Sequence, residues 1–325
     1  MTTLYLDRRN CSLELEGRVV GVYVDGRREM SVPALLLERI VLRSNVTLGS
    51  SVLPRLAAAG IAIVAFGGRF GRQHATVLGS IHNDAARRVG QIRAYDDPDF
   101  RIRWTRRLVL GKVRGQRRLI ARALTQRTDQ RHPLTKALQA LDQGLLRIRT
   151  EPGLGVGQLR GIEGAAAAGF FQGYTQLFAP TLTFSGRNRR PPRDPVNAAL
   201  SLGYTLLHAE AVHAAHTAGL DPMIGFFHEL DFGRASLASD LIEPLRPQVD
   251  QWVWDSFRSE WLRPEHFSRE GDACLLGKAG REHFFSAYER FARPRRRLLR
   301  RCCGKLAGGL AELGRIRPAT DEEGT

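Results

Sequence analysis

A chain of 325 residues, 43% hydrophobic and 25% charged, is long enough for two modest domains or one large one and has an ordinary globular composition. No apolar run reaches membrane-spanning length and the opening MTTLYLDRRN is no secretory signal, so a cytoplasmic protein with no membrane partner is expected; the four cysteines form no C-x-x-C pair, which argues against structural zinc. Lys and Arg total 49 against 33 acids, a net charge of +16, and only Lys112, Lys136, Lys278 and Lys305 are lysines, so the excess is arginine, the side chain best shaped for bidentate phosphate contacts.

In chain order, residues 1–83 read as a β-rich domain. Leu4–Leu6, Ser12–Leu15, Val19–Val24 and Arg27–Met30 are short and β-prone, and Asp25–Gly26 signals a hairpin between the last two. Ser51–Ala59 predicts a short helix closed by Gly60, Ile61–Phe66 a strand, and His74–Leu78 another. Asn83 or Asp84 suits a cap for AARRVGQIRAY, and Asp96-Asp97-Pro98 breaks the chain, so residues 84–98 are taken as a linker. From residue 99 to 325 the pattern is helical. Phe100–Leu124 is basic and amphipathic, and Arg160–Phe171 (RGIEGAAAAGFF) is a helix whose small residues would admit a close neighbour. Val196–Ala218 is a helix with Asp194 as N-cap, Pro195 at its first position and Gly219 at its end. A further helix starts near Ser236; Pro244 and Pro247 must bend it, and Pro244 removes the usual helical donor to the Asp240 carbonyl. Arg290–Arg301 is a second basic cluster, either a DNA-contacting helix or a solvated tail, and PATDEEGT at the end reads as frayed.

Charge is not spread evenly. Residues 101–150 hold 14 basic and 2 acidic residues, a net of +12, whereas residues 201–250 hold 2 basic and 7 acidic, a net of −5. A polyanion binder gains nothing by gathering carboxylates unless a cation stands between them and the phosphates, and a divalent metal is the usual one. Asp240 and Glu243, three apart, share a helix face; His228 follows a Gly-Leu-Asp-Pro turn; Glu163 sits among small residues. Carboxylates with one imidazole suit Mg²⁺ or Mn²⁺. Taken singly each has a plainer reading: an exposed helix acid, a solvated acidic face, a core histidine. His208, His213 and His216 are better read as core or surface histidines than as a second metal site, and Gly67–Gly71 is followed by no G-K-[ST] and is not a phosphate loop.

RGIEGAAAAGFF, FSGRNRRPPRDPVNAALSLGYTLL, GLDPMIGFFHE and GRASLASDLIEPLRPQVD occur in this order between Arg160 and Asp250, with VPALLLERIVL and LAAAGIAIVAFG upstream. In these blocks the chain closely resembles the adaptation integrase and endonuclease family of CRISPR-associated proteins, the first of the numbered Cas proteins. The resemblance implies an α+β fold: an N-terminal β-sandwich that dimerises, joined to a larger all-α C-terminal catalytic domain. It implies Mg²⁺ or Mn²⁺ held by Glu163, His228 and Glu243, with Asp240 as a nearby second acid that binds a second metal or positions a water. It implies a homodimer, two of which clamp a dimer of the second numbered Cas protein, and DNA partners: double-stranded fragments, and the leader–repeat DNA of the CRISPR array into which they are inserted. Phe170 and Met223 depart from tyrosines common in relatives, while Tyr204 is kept, either to orient DNA or as a core residue.

The reaction so implied is a transesterification in which a 3′-hydroxyl attacks a target phosphodiester, with hydrolysis when water takes its place. Arg106, Arg107, Lys112, Arg114, Arg117 and Arg118, with Arg187, Arg189, Arg190 and Arg193, are the candidates for gripping phosphates. The rival readings are a transposon-borne integrase or stand-alone structure-specific nuclease on the same fold, and a non-catalytic DNA-binding scaffold, against which the clustered acids argue.

Overall fold

The computed structural model describes residues 2–67, 73–79, 82–188 and 191–315. Its first part is a sandwich of two four-stranded sheets. Strands β1 (Thr2–Leu6), β5 (Leu37–Leu42), β7 (Ala62–Gly67) and β8 (Gln73–Val77) form one sheet in the order β1-β5-β7-β8, with the first three parallel. Strands β2 (Cys11–Glu16), β3 (Val19–Val24), β4 (Arg27–Pro33) and β6 (Val46–Leu48) form the other, in the order β4-β3-β2-β6. The hairpin between β3 and β4 turns on Asp25 (φ 50°) and Gly26 (φ 77°), two successive left-handed residues that suit the twist of paired strands. Helix α1 (Val52–Ala58) connects the sheets' elements and buries Val52 and Leu56.

The alternation along β1, β5 and β7 explains how the two halves of the molecule join. Leu4, Leu6, Ile40, Leu42 and Ile63 face the second sheet and fill the sandwich core. The intervening Val41, Val64 and Phe66 belong instead to the helical core, and Tyr5 stacks on Phe285 with ring centroids 4.6 Å apart. A sheet buried on both faces needs near-continuous apolar runs, which is what LERIVL and AIVAFG are.

The helical part consists of α2 (Ala86–Asp96), α3 (Pro98–Gln126), α4 (Arg131–Thr150), α5 (Val156–Thr175), α6 (Pro195–Thr217), α7 (Ser236–Ile242), α8 (Arg246–Arg258) and α9 (Lys278–Gly314). It is not wholly α: β9 (Phe267–Glu270) and β10 (Ala273–Leu276) make a small antiparallel hairpin before α9. The stretch expected to be a linker carries α2, which lies on the end of α9 so closely that a Cβ on Gly90 would overlap the Leu310 carbonyl. Asp97 does not simply break the chain there; it caps α3 by accepting from the Asp99 and Phe100 N–H groups, with Pro98 at the first helical position. Asp194 caps α6 through the Asn197 N–H at 2.8 Å, and Gly219 ends it at φ 75°. Small residues do bring α5 close to α4: a Cβ on Gly173 would lie 2.6 Å from Ala137 Cβ.

The second basic cluster is neither a solvated tail nor wholly a DNA-facing helix. It lies in mid-α9, where Arg296 is buried against Glu210 and Glu289, Arg295 donates to Gln248, and Arg300 pairs with Glu38 of β5. The sequence end PATDEEGT, Arg189 and Arg190 lie outside the described residues. No helix among the described residues is long and apolar enough to cross a membrane.

Candidate metal centre

Three segments far apart in sequence meet at Lys112. This residue projects from the middle of α3, and its ammonium donates to Glu163 Oε1 of α5 and, at 2.6 Å, to Glu243 Oε2. Glu243 opens the single 3-10 turn (Glu243–Leu245) between α7 and α8 that Pro244 enforces; the Asp240 carbonyl is not orphaned there, because the Glu243 N–H closes back onto it. That turn can cross α3 because α3 has no side chains beneath it: a Cβ on Gly111 would lie 3.1 Å from Pro244 Cβ, and one on Gly115 2.9 Å from Pro247 Cβ. The two glycines on one helix face therefore set how deeply Glu243 is pressed against Lys112.

His228 lies beside this pair, with Nε2 3.9 Å from Glu243 Oε1. Its ring is held from behind. Nδ1 lies 2.7 Å from Asp240 Oδ1, which directs the Nδ1 hydrogen at the carboxylate and leaves Nε2 turned toward Glu243. Asp240 is wholly buried and also accepts from the backbone N–H groups of Phe226, Phe227 and His228, so four hydrogen bonds converge on its two oxygens. Arg101 and Arg160 fix the same loop from outside, donating to the Phe226 and Phe227 carbonyls at 3.1 and 2.8 Å and pairing with Glu229.

Burial alone would push the Glu243 carboxyl up, but Arg246 at 2.9 Å and Lys112 more than reverse this and hold it near 2. For Lys112, burial works against the charged form and the carboxylates of Glu243 and Glu163 overcome it, so the ammonium is held above its ordinary range. Behind Arg246, its guanidinium lies over the Tyr204 ring at 4.8 Å, and the Tyr204 hydroxyl donates to Asp250. Tyr204 is thus a buried support of Arg246, and burial keeps its phenol protonated.

These side chains fit a divalent cation in kind: two carboxylates and a pre-aimed imidazole nitrogen are donors suited to Mg²⁺ or Mn²⁺, and a cation, the Lys112 ammonium, already stands between the carboxylates. No three His, Cys, Asp or Glu groups among the described residues stand close enough together to hold a metal ion. The side chains are 5% exposed at Glu243, 12% at Lys112, 16% at Glu163 and 17% at His228, so the cluster is largely covered, with Glu163 and His228 its most accessible members.

The phosphate-grip candidates divide sharply. Arg107, Arg114 and Arg118 are exposed on one face of α3 with no carboxylate in ion-pair reach among the described residues, and Arg103, not singled out from the sequence, continues the stripe. Arg193 is also exposed. Lys112 is inside the centre, Arg106 is spent on the Ile148 and Glu151 carbonyls, and Arg117 is paired with Asp142. Arg187 bonds Asn197 and Ser201 and lies over Tyr204. Burial first, and then the neighbouring Arg39, push the half-buried His213 down to about 4, and His216 bonds the Gly79 carbonyl. The roles of Lys112, Arg246, Arg101 and Arg160 were missed because an arginine that anchors a loop and one that grips DNA look alike in composition; only Arg246, one helical turn from Glu243, carried a local hint.

Comparison with known proteins bears on what this arrangement serves. The model for "CRISPR associated protein Cas1" matches residues 4–290. A curated relative, the CRISPR-associated endonuclease Cas1 1 of Thermodesulfovibrio yellowstonii, is 34% identical over 308 residues, covering 92% of this chain and 94% of its own. Among solved structures, a Cas1 protein from Thermotoga maritima superposes with a TM-score of 0.78 at 22% identity over 95% of this chain and 96% of that one. A casposase bound to integration product superposes at 0.79 with 18% identity, over 100% and 95% of the two chains.

Proposed function

Since the chain belongs to the Cas1 family of CRISPR-associated proteins, we propose that it is the metal-dependent integrase and endonuclease of CRISPR adaptation, joining short double-stranded DNA fragments to leader–repeat DNA by transesterification. The observation that carries this reading is that Glu163 and Glu243 share one cation, Lys112, while His228 Nε2 lies 3.9 Å from Glu243, so that residues of separate segments meet in a strongly basic protein.

Glu163, Glu243 and the Nε2 nitrogen of His228 would hold Mg²⁺ or Mn²⁺. Such an ion, when bound, supplies Lewis-acid polarisation of the phosphodiester and of the attacking hydroxyl. The chain's own residues do the rest. Asp240 keeps His228 in the tautomer and orientation that present Nε2, and is a positioning residue rather than a ligand. Arg246, braced by Tyr204 and through it by Asp250, keeps Glu243 ionised and fixed in place. The incoming 3′-oxygen forms the new bond to phosphorus, the target strand's own 3′-oxygen leaves with a proton, and the number of phosphodiesters is unchanged. With water as the attacking group the same site hydrolyses DNA, in keeping with the endonuclease name of the relatives.

The partners we infer are DNA, a second copy of this chain, and a dimer of the second numbered Cas protein bridging two such dimers. Met30, Leu35 and Leu36, exposed apolar residues of the sandwich, support dimerisation through that domain. Replacing Glu163 by Ala is expected to lower strand transfer into leader–repeat DNA by at least about a thousandfold in Mg²⁺ or Mn²⁺ while leaving DNA affinity within about threefold. Integration by the variant at the wild-type rate would remove Glu163 from the site.

A further inference from the structure

The cation between Glu163 and Glu243 belongs to the protein itself. Lys112 lies in mid-helix, largely covered, with both ion pairs formed by the same nitrogen. A residue meant to grip DNA from here would gain nothing by being turned inward onto two carboxylates. Nor is it there to fill space, since Gly111 and Gly115 beside it leave room for the Pro244 turn. Arg246 pairs with the Glu243 oxygen that Lys112 does not use, so Glu243 keeps a counter-charge when Lys112 leaves, whereas no other cation pairs with Glu163 among the described residues.

We propose that Lys112 is a built-in competitor for the metal centre: its ammonium closes Glu163 and Glu243 together in the metal-free protein and is expelled when a divalent ion binds between them. The inference rests on the proposed metal site and adds to it a resident occupant. Two like-charged glutamates facing one another would otherwise repel and spread, at a cost to folding, whereas a tethered ammonium keeps them preassembled. The same tether makes the ammonium a competitor at high effective concentration, so metal affinity is set below what the bare ligands would give. An expelled ammonium emerges on the open side of the centre, where the DNA backbone would lie, so metal loading and a new phosphate contact become coupled.

The test uses the full chain. With only four lysines, acetylation of each amine by an N-hydroxysuccinimide ester can be followed by mass spectrometry in one sample. In EDTA, Lys112 is expected to label far more slowly than Lys136, Lys278 and Lys305. Saturating Mn²⁺ is expected to speed Lys112 alone, by about fivefold or more. In parallel, Mn²⁺ binding by calorimetry and thermal unfolding in EDTA are compared for wild type and Lys112→Met. The substitution is expected to tighten Mn²⁺ binding by on the order of tenfold, the usual size of coupling between two linked sites, while lowering the melting temperature in EDTA by roughly 3 °C or more. A variant that is less stable without metal yet binds it more tightly is the signature, whereas general misfolding would lower the melting temperature and weaken Mn²⁺ binding together. Mn²⁺ that binds wild type with no change in Lys112 labelling and the same affinity in Lys112→Met overturns the competitor role and leaves the metal site standing. Failure of Mn²⁺ to bind wild type at all overturns both.

Discussion

Asp250 is wholly buried one layer below the proposed metal centre, accepting from the Tyr204 hydroxyl, while the Tyr174 hydroxyl donates to its backbone carbonyl at 2.7 Å. Burial raises its carboxyl from the ordinary 3.8 to about 6, only partly offset by the Tyr204 hydrogen bond and Arg246. A carboxyl group with a raised folded-state pKa holds its proton more firmly folded than unfolded. Its contribution to stability is therefore full below about pH 4 and is lost as pH rises to about 6. That interval corresponds to about 3 kcal/mol. Asn can accept the same Tyr204 hydrogen bond without ionising, so Asp250→Asn is expected to gain stability relative to wild type between pH 4 and pH 7 by up to this amount. Urea midpoints for the two proteins across that range check it, and parallel curves would mean Asp250 stays ionised. At this scale the sequence is legible only in part. Glu163, His228 and Glu243 stood out through family blocks, whereas Lys112 read as one of 14 basic residues in its segment, because nothing local distinguishes an inward lysine from an outward one.

At the scale of elements, α3 serves two functions on two faces. At about 100° per residue, Arg103, Arg107, Arg114 and Arg118 fall within one narrow sector, and Lys112 lies about 140° round from Arg107. The exposed stripe is thus a surface track rather than a wall of the proposed metal centre. Replacing Arg107, Arg114 and Arg118 together by Gln is expected to weaken DNA binding and to lower the slope of log affinity against log salt by roughly 2 to 3. Arg117→Gln, already matched by Asp142, is the internal control and should leave the slope nearly unchanged. Equal slopes for wild type and the triple variant would place the DNA elsewhere. The reading of elements went furthest where caps and turns are local: Asp25–Gly26, Asp194–Pro195, Pro244. It fell short at β5, whose two-sided burial erases alternation, and at α9, where charge density over residues 290–301 hides the stripe of Phe291, Leu299, Cys303 and Leu310 that packs inward.

For the whole molecule, the decisive junction is one that no motif advertises. Arg39 of β5, Glu210 of α6 and Arg296 of α9 meet under the sheet, each almost fully buried, with Glu289 and Thr3 completing the coordination of Arg296. Two guanidinium groups share the single Glu210 carboxylate, which burial pushes up and the two arginines pull below its ordinary value. Both arginines come from segments whose charge would be assigned to the surface, and they pair only once the sandwich and the helices are docked. Removing the shared carboxylate leaves two cations buried side by side, so Glu210→Ala is expected to cost about 3–5 kcal/mol. Replacing all three members by apolar residues of similar size, Arg39→Met, Glu210→Leu and Arg296→Met, is expected to recover most of that loss, since the cost lies in the unpaired charge rather than in the missing contact. Equilibrium unfolding of both variants separates the possibilities. A loss under about 1 kcal/mol in Glu210→Ala would show that water reaches the arginines, and the junction would then rest mainly on apolar contacts such as those of Tyr5, Val41, Val64 and Phe66.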